Sequence, residues 1–206
     1  MTATLHYIYD PLCGWCYGAE PLAQAAAQVT DLEVTLHGGG LWAEPTTLPD
    51  HMRNYISEAD ERLAALSGQP LGDRYKNELL LDPELILESA PTIKAVLAAE
   101  ALAGKGLAML QAIQHAHYVD GKHVVRAEIL EEIAESVGIA AAEFAQAVAD
   151  IDVDQHIAQT RALMGRIGAQ GFPTFVLEIK GQWYGVDHNR FQRNAEGFAE
   201  WLSSAV

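Results

Sequence analysis

Cys13 and Cys16 are the two cysteines of this 206-residue chain, and they stand three apart in Pro11-Leu12-Cys13-Gly14-Trp15-Cys16. On a helix, positions i and i+3 share a face, so both sulfurs can meet across one turn. If Cys13 begins that helix, the unpaired N–H groups and the macrodipole favour its thiolate. Such a pair suits disulfide exchange: an exposed thiolate attacks a disulfide, and a second thiol resolves the mixed disulfide. Gly14 permits close approach to the first turn, and Trp15 sets a flat apolar surface beside the sulfur. Two plainer readings compete. A zinc site would need two more ligands, drawn from pairs such as His115 and His117 or His6 and His37. The cysteines could also be inert and buried, but their place between a strand and a helix favours the redox reading.

The elements that must position the pair are legible around it. Leu5–Tyr9 is short and rich in aromatics, and Asp10-Pro11 ends it, which predicts a strand and a break. From Trp15 to about Val29, Ala19, Leu22, Ala23, Ala26 and Ala27 recur at helical spacing, with a kink expected at Pro21. Leu32–Leu36 alternates as a second strand. Gly38-Gly39-Gly40 then reads as a flexible exit and not as a phosphate loop, since no Gly-Lys-Ser/Thr follows. Between about Pro49 and Gly168 there is almost no strand pattern. Helices are predicted there, divided at Ser67-Gly68-Gln69-Pro70, Asp82-Pro83, Ala90-Pro91, Gly104-Lys105-Gly106, Asp120-Gly121 and Gly138. The stripes Ile129, Ile133, Val137 and Ala141, Phe144, Val148 read as core.

Sheet character returns with Thr174–Ile179 and Gln182–Val186, joined by the two-residue turn Lys180-Gly181. A last helix is expected from about Asn189 to Leu202, with Asp187 or His188 near its cap. The terminal pieces must pack together to bury their apolar faces, so the helical block is an insertion. The fold class is α/β, with a core of residues 1–45 and 165–206 and an insertion of 46–164 that includes the helix leading back.

Thirteen basic and 28 acidic residues give a formal charge of −15. A surface of that sign repels phosphate backbones and anionic lipid, so neither nucleic acid nor membrane is an expected partner. The apolar stretches are too short to span a bilayer. Met-Thr-Ala-Thr-Leu-His-Tyr-Ile-Tyr-Asp lacks the pattern of a secretory leader, which predicts a cytoplasmic protein. Thiols there are kept reduced, so a cysteine pair is more readily catalytic than a staple.

A second motif, Gly171-Phe172-Pro173-Thr174-Phe175, precedes the late hairpin. A strand leading through CxxC into a helix, completed by apolar-Pro-Thr before a hairpin, resembles the thioredoxin superfamily. The long helical insertion resembles DsbA-type proteins, and specifically their cytoplasmic FrnE-like branch. The resemblance spans essentially the whole chain. It implies a thioredoxin-like fold (βαβ … αββα) with a large all-helical insertion. It makes Cys13 the nucleophile, Cys16 the resolving thiol and Pro173 a cis residue facing them. The backbone of Phe172 would pair with an extended client by strand addition, and Trp15, Phe172 and Thr174 would contact substrate. The implied substrates are protein or peptide disulfides, with no bound cofactor or metal, and with glutathione or another thiol as candidate reductant.

The chain departs from that pattern in two places. Gly14-Trp15 stands where DsbA has a histidine between its cysteines. This predicts a less stabilised Cys13 thiolate and a less oxidising disulfide, so reduction or isomerisation is the favoured direction. Tyr7 occupies the position, six before the nucleophile, where thioredoxin and DsbA bury a carboxylate. Asp10 or Glu20 could substitute through water; the plainer expectation is that both are solvated surface acids. His115, His117, His123 and His188 read as surface or satisfied core groups, unpaired with either cysteine. The architecture also resembles kappa-class glutathione transferases and hydroxychromene-carboxylate isomerases, but those usually carry Ser at the first motif position and lack the second cysteine. A chaperone-like module, binding through a groove between Trp15, Phe172 and the helical block, is a third reading.

Overall fold

A strand buried along both faces belongs in the middle of a sheet. Ala3–Tyr9 (β1) is such a strand, and Leu5, Tyr7, Ile8 and Tyr9 are fully buried. The computed structural model describes residues 3–206; Met1 and Thr2, the start of the segment read against a leader, lie outside the described residues. β1 passes into α1 (Gly14–Ala26), and the chain returns through β2 (Leu32–Gly38), which pairs with β1 in parallel. After the insertion come β5 (Thr174–Ile179) and β6 (Gln182–Val186), giving a sheet of order β2-β1-β5-β6 in which β5 runs antiparallel to both neighbours. Lys180 and Gly181, both at positive φ, form the predicted hairpin turn.

The period of two decides what each sheet face carries. Leu5, Tyr7 and Tyr9 join Phe175 and Leu177 in the main core, and the Tyr7 and Phe175 rings stack 4.5 Å apart. That core also holds Leu22 and Ala23 of α1 and Phe198 and Leu202 of α9 (Ala195–Ala205), which packs along α1. Ile8 points to the opposite face, where it meets Leu163 and Met164 of α8 (Val153–Ile167).

Between β2 and α8 lie β3 (Thr46–Thr47), α2 (Asp50–Ser67), α3 (Asp73–Asn77), β4 (Ile86–Leu87), α4 (Ser89–Ala103), α5 (Gly106–Tyr118), α6 (Ala127–Ser136) and α7 (Ala141–Asp150). α4 is the hub: Ile93, Ala95, Val96, Ala98 and Ala99 are all fully buried, and their small side chains admit α5 and α7 closely. Of the stripes read from sequence, Ile133 and Phe144 are buried core, and Ile129, Val137 and Val148 pack against it partly buried. Among the described residues, no helix is long and apolar enough to cross a membrane.

Differences from the sequence reading have local causes. β3 and β4 form a two-residue ladder, too short to show a strand period. Ala90-Pro91 is not a boundary but the first turn of α4, where a proline lacks no helical hydrogen bond. α1 runs unbroken past Pro21 and ends at Ala26, before a turn with Asp31 at φ 62°. The last helix starts later than expected. Residues 188–191 make a 3₁₀ turn, Arg193 takes φ 59°, and Asn194 caps α9 by accepting the Gly197 N–H at 3.0 Å.

Candidate active site

Cys13 is the residue at which β1's connection becomes α1. Its backbone is extended (φ −95°, ψ 114°), and its carbonyl accepts the N–H of Cys16 at 2.9 Å and of Tyr17 at 3.0 Å. No acidic residue occupies the first turn of α1 itself. Both thiols are free. The Cys13 Sγ faces the Phe172 carbonyl oxygen at 3.8 Å. Cys13 is only 6% exposed, so its sulfur is reached through a cavity and not across open surface. Cys16 is fully buried; burial first, and then its hydrogen bond to Cys13, push its thiol well above the ordinary range. The Asp10 N–H points at the Cys16 Sγ from 3.4 Å. Tyr7 donates its hydroxyl to the Cys16 carbonyl at 3.2 Å.

The expectation that Asp10 and Glu20 are solvated acids is overturned. Asp10 is 0% exposed, and its carboxylate accepts the N–H of Leu12 at 2.9 Å and of Leu41 at 2.7 Å. Burial raises its pKa against those bonds. Glu20 is buried on α1; one oxygen takes a long 3.5 Å bond from Gln69, the other is unpartnered, and burial raises its pKa too. The loop after β1 folds inward because Asp10 gathers amides there, which no local pattern announces.

The Phe172–Pro173 peptide is cis. The Thr174 hydroxyl donates to the Gly171 carbonyl at 2.8 Å, closing the turn before β5 and not facing the cavity. Gly38-Gly39-Gly40 is more than a flexible exit. A Cβ at Gly39 would overlap the Phe172 ring, so the glycine is the seat for that side chain. Arg161 of α8 covers the ring from the other side at 5.1 Å and donates to the Gly40 carbonyl at 2.7 Å.

The insertion closes these parts into a cavity of about 430 Å³. Trp42, Met52, Ile56 and Tyr118 supply apolar wall, and Trp15, 43% exposed, forms part of the lining beside Cys13. Its polar groups include Asp60, Tyr75, Arg161, Gln170, and the ring nitrogens Trp42 Nε1 and His117 Nδ1, the last two buried without a partner. His117 thus belongs to the site, against the sequence reading, and burial lowers its pKa to about 4. His6 bridges His37 at 2.9 Å and Glu178 at 3.1 Å. His115 lies on Asp120, His123 on Asp82, and His188 against Phe175. Among the described residues, no group of three or more His, Cys, Asp or Glu side chains is arranged to hold a metal ion.

Asp60, Tyr75 and Arg161 went unread. Asp60 alone left a trace: Met52, Ile56, Asp60 and Leu63 fall on one face of α2, so an acid interrupts an apolar stripe. It is 5% exposed and accepts the Tyr75 hydroxyl at 2.6 Å. Burial raises its pKa to about 6, against the Tyr75 bond. The native state therefore keeps a proton that an unfolded Asp releases near pH 3.9, so stability falls as pH rises from about 4 to about 6. Relative to Asp60→Asn, the wild type should lose on the order of 3 kcal/mol across that window. Urea midpoints for the two proteins should separate with rising pH; a constant separation would remove this reading.

The DSBA-like thioredoxin domain family matches residues 4–195. No curated protein matches the chain. Among solved structures, the chain is 44% identical to the cytosolic disulfide reductase DsbM from Pseudomonas aeruginosa, covering 98% of each chain with a TM-score of 0.91. It is 42% identical to the same protein solved with GSH, with a TM-score of 0.88 and 98% of each chain covered. It is 24% identical to a putative protein disulfide isomerase from Nitrosomonas europaea, at full coverage of both chains and a TM-score of 0.84. A 2-hydroxychromene-2-carboxylate isomerase shares the fold at 15% identity, with 98% of each chain covered and a TM-score of 0.62.

Proposed function

Because the chain belongs to the DSBA-like thioredoxin domain family, we propose that it is a disulfide oxidoreductase acting on peptide or protein disulfides in the reducing or isomerising direction. The observation that carries this reading is the geometry of the pair. Cys13 caps α1 with its sulfur in a cavity beside the Phe172 carbonyl, and Cys16 waits behind it, buried and protonated.

In the exchange, Cys13 thiolate attacks one client sulfur, forms a mixed disulfide and expels the other half as thiolate. Cys16 then gives up its proton and attacks the Cys13 sulfur, releasing the second half and leaving Cys13–Cys16 oxidised. The client gains two electrons from the dithiol and two protons, one released when the Cys13 thiol ionises and one given up by Cys16. Phe172 offers its backbone to an extended client, with Pro173 shaping the turn and Trp15 beside it. Residues 1–45 and 165–206 carry this chemistry, and 46–164 supplies the far wall of the cavity.

A small thiol, of which glutathione is the candidate, returns the pair to the dithiol. The likeness to a cytosolic reductase solved with GSH supports both that reductant and a cytoplasmic setting. The likeness to the 2-hydroxychromene-2-carboxylate isomerase rests on fold alone.

Equilibration against glutathione redox buffers tests the direction. A potential near that of thioredoxin, roughly −270 mV, is expected. A potential near that of DsbA, roughly −120 mV, would overturn the reducing assignment.

A further inference from the structure

Disulfide exchange moves protons as well as electrons, and one carboxyl group in the cavity is placed to carry them. Asp60 reaches the site from α2. Its Oδ2 accepts the Tyr75 hydroxyl at 2.6 Å, and its Oδ1 lies over the Cys13-Gly14-Trp15-Cys16 turn, so near that a Cβ at Gly14 would stand 2.7 Å away. Asp60 and Cys13 line the same cavity. Gly14 is thus required for a second reason: any side chain there would displace the carboxyl from the turn.

Resting on the dithiol reading above, we propose that Asp60 is the proton carrier of the exchange, taking the proton of the Cys13 thiol and returning it to the client thiolate that Cys13 expels. In the first step the Cys13 S–H bond breaks and an Asp60 O–H bond forms. In the second, the Cys13–client S–S bond forms, the client S–S bond breaks, and the Asp60 proton passes to the departing sulfur. Asp60 ends as it began, and the client half leaves as a neutral thiol.

The other titratable and charged groups in and around the cavity do not compete for the role. Tyr75 from α3 and Tyr118 from α5 have their pKa values pushed well above 10 by burial, and His117 is held down to about 4. Arg161 of α8, in the same lining, offers only hydrogen-bond donors. Cys16 is held protonated behind Cys13, and Asp10, itself outside the cavity lining, is tied to the amides of Leu12 and Leu41. Asp60, at about 6, is more acidic than an ordinary thiol near 8.5, so transfer to the departing thiolate runs downhill.

A merely structural Asp60–Tyr75 bond would affect all substrates alike; a proton carrier affects those whose leaving thiolate needs a proton. The test is single-turnover oxidation of the reduced protein by two disulfides. One is a cystine-bridged peptide, whose leaving thiolate is basic. The other is 5,5′-dithiobis(2-nitrobenzoate), whose aromatic thiolate departs without a proton. Asp60→Asn should lower the peptide-to-aromatic rate ratio by about tenfold or more and remove an inflection near pH 6 from the peptide profile. Tyr75→Phe, which deletes the bond that lowers the Asp60 pKa, should keep the inflection and move it to higher pH. An unchanged ratio, an inflection that survives Asp60→Asn, or one that Tyr75→Phe leaves in place would overturn the proposal. Cys13→Ser separates the two claims. If it keeps wild-type rates, the dithiol reading fails; if it is inactive while the Asp60→Asn ratio stays at the wild-type value, the proton role alone fails.

Discussion

Cys13→Ser is expected to lower reduction of a peptide disulfide by at least roughly 10³-fold, the scale seen when a nucleophile that works as part of a unit is removed. Cys16→Ser should instead react once and stop. The two cysteines differ in environment, and the asymmetry follows from it. Cys13 caps α1 and opens on the cavity, whereas Cys16 is fully buried with its thiol pushed up by that burial. Cys13 is therefore the sulfur that a client can reach. A serine hydroxyl at that position stays protonated at any working pH and is no nucleophile for sulfur.

With Cys16→Ser the first attack proceeds, but nothing within the protein attacks the Cys13 sulfur again. The mixed disulfide should persist until external thiol is added, and intact mass should rise by the mass of the client half. Equal turnover by both variants and the wild type would show that exchange at this pair is not the chemistry. A trapped adduct on Cys13→Ser would reverse the roles assigned to the two sulfurs.

How much of this was readable in sequence depends on how local each signal was. The hairpin Thr174–Ile179 to Gln182–Val186 stands where its alternation and two-residue turn placed it, because both signals lie within thirteen residues. The same holds for the strand-to-helix handover at Cys13. The second half of the site is non-local. Asp10 looked like a loop acid, since its partners Leu41 and the Cys16 sulfur come together only when β1, β2 and α1 have packed. Gly39 looked like slack because its reason, the Phe172 ring, lies more than 130 positions away in sequence. Asp60, Tyr75 and Arg161 belong to α2, α3 and α8, and of these only the α2 stripe that Asp60 interrupts leaves a trace in sequence. Which residues turn toward the cysteines depends on how α2 packs on α1 and α8 on β2 and α4, which no periodicity encodes.

Asp10→Ala is expected to cost on the order of 3 kcal/mol and to slow peptide reduction at the same time. Its carboxylate accepts two amides, Leu12 at 2.9 Å and Leu41 at 2.7 Å, from a position with no exposure. Leaving a buried donor unmade costs about 1–3 kcal/mol, and alanine would leave two. Asp10→Asn should fall between, since its one carbonyl oxygen serves one amide while its NH₂ faces the other. The functional consequence follows from what those amides hold. Leu12 leads into Cys13, and Leu41 follows the glycine run on which Phe172 is seated. Asp10 is thus the tie between the two halves of the site, the sulfur and the backbone carbonyl 3.8 Å from it. Loosening it should let that separation vary, so kcat/KM for an extended peptide should fall further than reactivity toward a small disulfide that needs only Cys13. Urea titration and the two substrates measured side by side check both claims. Equal losses on both substrates would mean that Asp10 supports the fold without holding the sulfur and the Phe172 backbone in register.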